Sequence, residues 1–156
     1  MRRLGEPAGR WAARLALLWA GIAVGVAFVA TPAKFLAPSL SLPVALDVGR
    51  QTFRVYNGLE IVLSVLAIGL AFGSVARRRW LLAFAIPVLV VAAQALWMIP
   101  ALDARVLLIQ AGHAPTPSAL HTVYIAAEAA KVLALLAAAL APAGGRSSIR
   151  RSSLAA

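Results

Sequence analysis

Cysteine is absent from the 156 residues of this chain, and Asp and Glu together number only 5. Without a thiol, the chain forms no disulfide framework, no thiolate metal site and no thiol redox centre. It also lacks a Gly-rich phosphate loop and the motifs G-x-S-x-G, C-x-x-C-H and H-E-x-x-H. Its two histidines do not form an i, i+4 pair that would suggest a helical metal site. The sequence therefore predicts no metal and no cofactor.

Charged residues are few as well, at 13% against 62% hydrophobic residues. Soluble proteins average about a quarter charged and about half apolar, so this composition is typical of a membrane protein. Four apolar runs come close to the roughly 20 residues that cross a hydrocarbon core of about 30 Å. They lie at about 12–31, 55–75, 80–99 and 120–141.

Because a helix satisfies its own backbone hydrogen bonds in lipid, the predicted fold class is an all-α integral membrane protein, a four-transmembrane-helix bundle. We expect one transmembrane domain over 12–142, after an N-terminal tail (1–11) and before a basic C-terminal tail (143–156). The first run is longer than the apolar core of a usual signal peptide, which favours a retained first helix.

The basic residues are distributed unevenly between the two sides of these runs. Ten of the 15 lie before the first run, between the second and third, or after the fourth: Arg2, Arg3, Arg10, Arg14, Arg77, Arg78, Arg79, Arg146, Arg150 and Arg151. The connections on the other side hold Lys34, Arg50, Arg54 and Arg105. The positive-inside rule then predicts cytoplasmic termini. The expected location is the plasma (inner) membrane. The basic clusters indicate orientation and contact with the lipid bilayer, and no nucleic acid partner is predicted.

An internal repeat is suggested by two copies of V-Y-x-x-x-E, which place Tyr56 and Glu60 in register with Tyr124 and Glu128. The offset is the same for both pairs, since 124 − 56 = 68 and 128 − 60 = 68. It also maps the Pro-Ala pair at 32 onto the Pro-Ala pair at 100. The pattern predicts two parallel αα-hairpins with long outer loops, related by an axis along the membrane normal. The two glutamates would then lie at equal depth.

The fourth run carries polar residues on one face. At 100° per residue, an arc of about 80° holds four of them: His121, Tyr124, Glu128 and Lys131. Intramembrane charges avoid lipid, so this face is expected to point into the bundle. In a purely structural interpretation, the glutamate and the lysine neutralise each other at i, i+3, while the other two lie at the wet interface.

The second run carries a similar stripe, and its Glu60 has no obvious partner on its own helix. A buried carboxylate needs a cation, a proton or a hydrogen-bond donor, which Lys131 or Lys34 would supply. We predict one outward-facing cavity in which the two glutamates converge under a rim that holds His121. At least one glutamate would then keep its proton unless Lys131 neutralises the pair. The candidate ligand- or proton-binding residues are Glu60, Glu128, Lys131, His121, Tyr124, Tyr56, Asn57 and Gln94.

Small and aromatic residues predict further contacts. The G-x-x-x-G spacings Gly21/Gly25 and Gly69/Gly73 would allow close helix approach, either within the bundle or between copies in a homo-oligomer. Gln94 and Trp97 are expected to share one face of the third helix at i, i+3. Interfacial aromatic anchors are expected at Trp11, Trp80 and Trp97.

Short patterns along most of the chain resemble a known family: PAKFLAP, VGRQTFRVYNGLE, ALWMIPALDARV and LHTVYIAAEAAKV. They are similar to the four-helix membrane family of unknown function typified by transmembrane protein 205. The matching positions are Pro32, Phe35, Gly49, Arg50, Phe53, Tyr56, Pro100 and His121, with Arg105 one place later than the simplest spacing. This resemblance implies the four-helix fold and no particular reaction.

A second resemblance rests on two segments, GIAVGVAFVATPAKF followed by NGLEIVLSVLAIGL. Together they are similar to the DoxX-like four-helix proteins. Those proteins also place a glutamate in the second helix, and some belong to quinone-linked oxidoreductase systems.

Three classes of function therefore stand. The favoured one is a non-enzymatic protein that binds or moves a small solute or proton through a polar intramembrane site. The others are an intramembrane enzyme, redox-linked or an acid/base isomerase, and a scaffold without a ligand.

Overall fold

The computed structural model describes residues 5–140, which form four long helices. These are helix 1 (Pro7–Leu36), helix 2 (Leu42–Gly73), helix 3 (Arg77–Gln110) and helix 4 (Leu120–Leu140). Each is long and apolar enough to cross a membrane, and the four pack as a bundle. The predicted fold class is thereby confirmed. The whole predicted C-terminal tail and residues 1–4, with their basic residues, lie outside the described part of the chain.

The four helices form a closed ring. Helices 1 and 3 each make extensive contacts with both helix 2 and helix 4. This order puts helix 1 opposite helix 3 and helix 2 opposite helix 4, as a two-fold axis along the bundle requires. Connections 37–41 and 111–119 lie at one end, and connection 74–76 lies at the other. We call these the outer and inner ends, after the orientation that the basic residues predict.

The inner half of the bundle has an apolar core built largely on small residues. Ala12, Ala16 and Ala20 recur every fourth residue on helix 1, and all three are buried. They pack with Ala67 and Ala71 of helix 2 in one cluster. Small side chains let the backbones of neighbouring helices approach closely, which is how helices gain packing energy in lipid. The same cluster includes Trp80, Phe84 and Leu135, which fill the remaining space.

The long outer loops expected from the sequence are mostly helix. Helix 2 already begins at Leu42, and helix 3 continues to Gln110. Arg50 binds Asp47 at 2.8 Å within one helix. Arg54 of helix 2 binds Asp103 of helix 3 at 2.6 Å. The prediction of long outer loops is therefore wrong, because hydropathy marks only the most apolar part of a helix and does not register turns that ion pairs stabilise.

A π-helical stretch interrupts helix 1 over Val24–Ala30 and helix 3 over Gln94–Met98. The N–H of Thr31 donates to the carbonyl of Val26, and the N–H of Ile99 donates to the carbonyl of Gln94. These two bonds are also offset by 68, since 99 − 31 = 68 and 94 − 26 = 68. A proline follows each stretch, and its missing N–H removes one α-helical bond. The offset that relates the two sequence patterns therefore relates two backbone irregularities as well.

The π-helical stretch of helix 3 overturns the prediction that Gln94 and Trp97 share a face. Gln94 is fully buried, whereas Trp97 is 57% exposed. The reason is that i→i+5 hydrogen bonding puts more residues into each turn, so the i, i+3 spacing no longer aligns two side chains. Of the predicted interfacial anchors, Trp11 and Trp97 are exposed on the bundle surface. Trp80 is buried and stacks on Phe84, so its predicted role as an anchor is wrong.

The glycine spacings do not serve close approach within the bundle. Gly21, Gly25 and Gly69 are exposed on the side of the bundle that faces away from the other helices. A Cβ added at any of them meets no atom within 4 Å. A Cβ at Gly73 would make an ordinary contact with Ala8, at 3.7 Å. Contact with a second copy through these glycines stays a prediction.

Candidate functional site

Lys131 lies near the middle of helix 4, and its side chain is completely buried. Its Nζ lies 2.5 Å from Oε1 of Glu60 and 2.7 Å from Oε1 of Glu128. It also donates to Oε1 of Gln94 at 3.1 Å. A lysine ammonium has three N–H donors, and each has an acceptor here. The ring of Tyr56 lies beside the same nitrogen, with its centroid 5.3 Å away.

Glu128 is held by donors on both of its carboxylate oxygens. Its Oε1 accepts from Lys131 and also from Nε2 of Gln94, at 2.7 Å. Its Oε2 faces the hydroxyl of Tyr56 at 3.5 Å, which is a long contact. The amide of Gln94 therefore bridges the ion pair, because its oxygen accepts from Lys131 while its nitrogen donates to Glu128. Hydrogen bonds to ionised groups are stronger than neutral ones.

Glu60 is bound through one oxygen only. Its Oε1 accepts from Nε1 of Trp19 at 2.9 Å and contacts Lys131. Its Oε2 is buried and has no hydrogen-bond partner among residues 5–140. One turn along helix 2, the hydroxyl of Ser64 donates to the backbone carbonyl of Glu60 at 2.8 Å. The carboxyl group is thus held in place, while one of its oxygens stays free.

Every helix contributes a residue to this arrangement, which we call the buried network: Trp19, Tyr56, Glu60, Gln94, Glu128 and Lys131. Helix 4 supplies the ion pair at i, i+3. Glu60 of helix 2 and Gln94 of helix 3 bind this pair, and Trp19 of helix 1 donates a hydrogen bond to Glu60. The two carboxyls predicted to converge do converge, on one lysine nitrogen. Fully ionised, the network holds two negative charges and one positive charge.

Sequence reasoning missed Trp19. The interfacial rule draws attention only to tryptophans at helix ends, and Trp19 lies inside the first apolar run. An indole N–H in the middle of a span nevertheless needs an acceptor, because lipid offers none. That requirement is the signal that would have linked Trp19 to an intramembrane carboxylate such as Glu60.

Two of the predicted site residues lie apart from the network. His121 is exposed at the start of helix 4, where it lines a cavity of about 280 Å³ at the outer end of the bundle, which we call the outer cavity. Asn57 lines a separate surface groove together with Arg54 and Asp103. Its Nδ2 is buried without a partner among the described residues. These two residues and the network therefore do not form a single site.

The outer cavity ends above the network, because two aromatic rings and an aliphatic side chain close its floor. Tyr124 and Phe53 meet edge to face with centroids 5.1 Å apart, and Ile99 packs beside them. Glu60 and Glu128 do not line the cavity. The prediction of one cavity that exposes both carboxyls is therefore wrong, since the ring pair separates them from it. The hydroxyl of Tyr124 is buried at this boundary, with no partner in the part of the chain that the structure describes.

Within residues 5–140, no group of three or more His, Cys, Asp or Glu side chains is placed to hold a metal ion. In comparisons with known proteins, no family model, curated protein or solved structure matches the chain. The two family resemblances stay predictions. The structure shows a four-helix membrane protein with a buried polar and charged network.

Proposed function

We propose that this protein binds a proton at the carboxyl pair of Glu60 and Glu128, in the middle of the membrane. The observation that carries the proposal is that two buried carboxyls share one ammonium. A net charge in a dry interior costs several kcal/mol, even after relaxation of the surroundings. One additional proton makes the network neutral.

The hydrogen bonds favour Glu60 as the residue that takes the proton. Both oxygens of Glu128 face donors, which suits a carboxylate. Among residues 5–140, Oε2 of Glu60 has no hydrogen-bond donor, so a proton there displaces no hydrogen bond. Oε1 of the protonated group still accepts from Trp19 and Lys131.

Access from the outer end is favoured over access from the inner end. Tyr124 lines the outer cavity and lies four residues before Glu128, which is about 6 Å along a helix. Its hydroxyl is able both to accept and to donate a proton. Toward the inner end, the network is followed by the apolar core around Ala67, Phe84 and Leu135. The arrangement therefore supports exchange of a proton with the outer side.

Infrared difference spectroscopy of the purified protein tests this proton directly. At neutral pH the wild type is expected to show the C=O stretch of one protonated buried carboxyl, shifted in D2O. Both Glu60→Gln and Glu128→Gln should remove this band, because either change leaves one carboxylate paired with one ammonium. Asp103→Asn, which alters a carboxyl paired with Arg54 outside the network, should leave the band unchanged. A wild type without the band would contradict the proposal.

A second candidate is a purely structural role, favoured by the way the network joins all four helices. The two candidates differ in how the proton exchanges. If the proton reaches the network through the outer cavity, Tyr124→Phe should slow deuterium exchange of the infrared band several-fold while the band itself remains. An exchange rate unchanged by Tyr124→Phe would favour the structural role.

For the orientation, we propose cytoplasmic termini, supported by the distribution of ten basic residues against four. The location in the plasma (inner) membrane stays a prediction. Reporter fusions at Arg79 and Ala156 are expected to read cytoplasmic, and fusions near Ser41 and His113 are expected to read outside. An outside signal at Ala156 would overturn this topology.

The alternative of a quinone-linked or acid/base enzyme, like the resemblances, stays a prediction.

A further inference from the structure

The outer cavity lies between the outer ends of all four helices and is separate from the proton site. Its wall includes Phe53 of helix 2, Ile99 and Val106 of helix 3, and Tyr124 of helix 4. Phe35, at the end of helix 1, lines the cavity and is 51% exposed, so the space communicates with the surface. An apolar wall with a few polar groups is typical of small-molecule sites, whose volumes are usually about 300 Å³ or more. The volume of this cavity, about 280 Å³, is close to that lower limit.

The charged groups around this cavity are mainly basic. Three of them are Lys34, Arg50 and Arg105, and Asp103 and His121 also line the cavity. The single carboxylate among them, Asp103, is bound by Arg54. Arg50 is neutralised by Asp47, and Arg105 donates to the carbonyl of Thr116 at 2.7 Å. Lys34 has no carboxylate within ion-pair distance among the described residues, and its Nζ lies 5.0 Å from the centroid of the Phe35 ring. The cavity therefore keeps an uncompensated positive charge.

The ammonium of Lys34 lies against the backbone of Gly49. A Cβ added at Gly49 would collide with Nζ of Lys34. The absence of a side chain on this turn of helix 2 thus makes the space that the ammonium occupies. Since Gly49 and Lys34 both line the cavity, the ammonium is held against its wall.

We propose that the outer cavity binds an amphipathic anion, a single apolar chain that ends in a carboxylate or phosphate. The anionic end would bind Lys34, with Arg50 and Arg105 close by, because ammonium and guanidinium groups form strong charge-assisted bonds to such oxygens. The apolar chain would lie along Phe53, Ile99 and Val106. A volume of about 280 Å³ accommodates one chain end and excludes a whole two-chain lipid. This inference does not depend on the proposed proton site.

Thermal unfolding of the full chain in an uncharged detergent tests the proposal. Dodecyl phosphate is the probe, and its matched controls are dodecanol, dodecyltrimethylammonium and inorganic phosphate. We expect dodecyl phosphate alone to raise the melting temperature, in a saturable manner. Equal stabilisation by dodecanol would overturn the charge requirement, and equal stabilisation by inorganic phosphate would overturn the requirement for an apolar chain.

Variants of Lys34 locate the anionic end. Lys34→Met is expected to weaken the Kd for dodecyl phosphate about tenfold, the loss expected for one charge-assisted hydrogen bond. Lys34→Arg should largely retain the affinity. Arg78→Met removes one positive charge from the inner end and should leave the Kd unchanged. An unchanged Kd in Lys34→Met would overturn the proposal, and so would an equal loss in Arg78→Met.

The anion has two sources, which competition distinguishes. Bound dodecyl phosphate is challenged with phosphatidylglycerol or phosphatidylcholine in nanodiscs. Displacement by phosphatidylglycerol alone would identify the headgroup of an outer-leaflet lipid as the occupant and would overturn the assignment to a single-chain anion. Retention of dodecyl phosphate against both lipids would identify a free single-chain anion. Displacement by phosphatidylcholine to the same extent would contradict recognition of a net anionic group.

Discussion

Replacement of Lys131 by Met is expected to lower the free energy of unfolding by about 3–5 kcal/mol, the loss typical when one partner of a buried ion pair is removed. Two carboxyls would then face each other without a cation. The side-chain oxygen of Gln94 would also lose the hydrogen bond that Lys131 donates to it. Reversible unfolding in mixed micelles measures this loss. The variant should regain stability as the pH falls, because protonated carboxyls no longer repel each other.

Two comparisons isolate the charge from the shape of the side chain. Lys34→Met makes the same chemical change at the partly exposed end of helix 1 and should cost no more than about 1 kcal/mol. Addition of Glu60→Gln and Glu128→Gln to Lys131→Met should restore much of the lost stability, since the network becomes neutral. Strictly additive losses in this cycle would show that Lys131 does not pair with the two glutamates.

Replacement of Trp19 by Ala is expected to cost about 3–5 kcal/mol, because its ring is fully buried and its removal leaves a large cavity. Trp19→Phe keeps most of the ring volume and removes the N–H that binds Glu60. It should cost about 1–3 kcal/mol, as expected when a buried acceptor loses a donor.

A tryptophan on the bundle surface provides the control for this pair of variants. Trp97 is 57% exposed and has no place in the network. Trp97→Ala should therefore change the free energy of unfolding by about 0.5 kcal/mol or less. Equal losses for Trp19→Ala and Trp97→Ala would contradict the placement of Trp19 in the bundle interior.

The parts of this structure that follow from regular helix geometry could be predicted from the sequence. Spacing at 100° per residue aligned Glu128 with Lys131, and in the structure the two do form an i, i+3 ion pair. The repeat placed Glu60 and Glu128 at equal depth, and both bind the same lysine. Apolar run length located the four helices, because the thickness of the bilayer sets that length.

The parts that depend on irregular backbone or on a single side-chain atom could not be predicted in this way. The π-helical turn beside Gln94 rotates that amide into the bundle and leaves Trp97 on the surface. The outer parts of helices 2 and 3 are joined by the ion pair of Arg54 with Asp103, which hydropathy does not register. The floor formed by Phe53, Tyr124 and Ile99 depends on how three helices dock, and it separates the outer cavity from the carboxyls.

The separation of the two sites gives the outer cavity and the buried network different chemistry. The cavity is basic and reaches the surface, whereas the network has an excess of carboxyls and is closed off. Tyr124 is the residue common to both regions, since it lines the cavity and lies one turn from Glu128. Variants of Tyr124 are therefore expected to affect exchange of the proton more than its binding.

The central claim is that one buried ammonium binds two carboxyls in the middle of the membrane. The sequence suits a direct distance measurement, because Lys34 and Lys131 are its only lysines and Glu6, Glu60 and Glu128 its only glutamates. Solid-state rotational-echo NMR on protein labelled with 15N at lysine Nζ and 13C at glutamate Cδ measures these distances in lipid. The account predicts that, in a Lys34→Met background, the remaining nitrogen is dephased by two nearby carboxyl carbons, and by one in Glu60→Gln. A Lys131 nitrogen dephased by a single carboxyl in the Lys34→Met background, or by none, would contradict it.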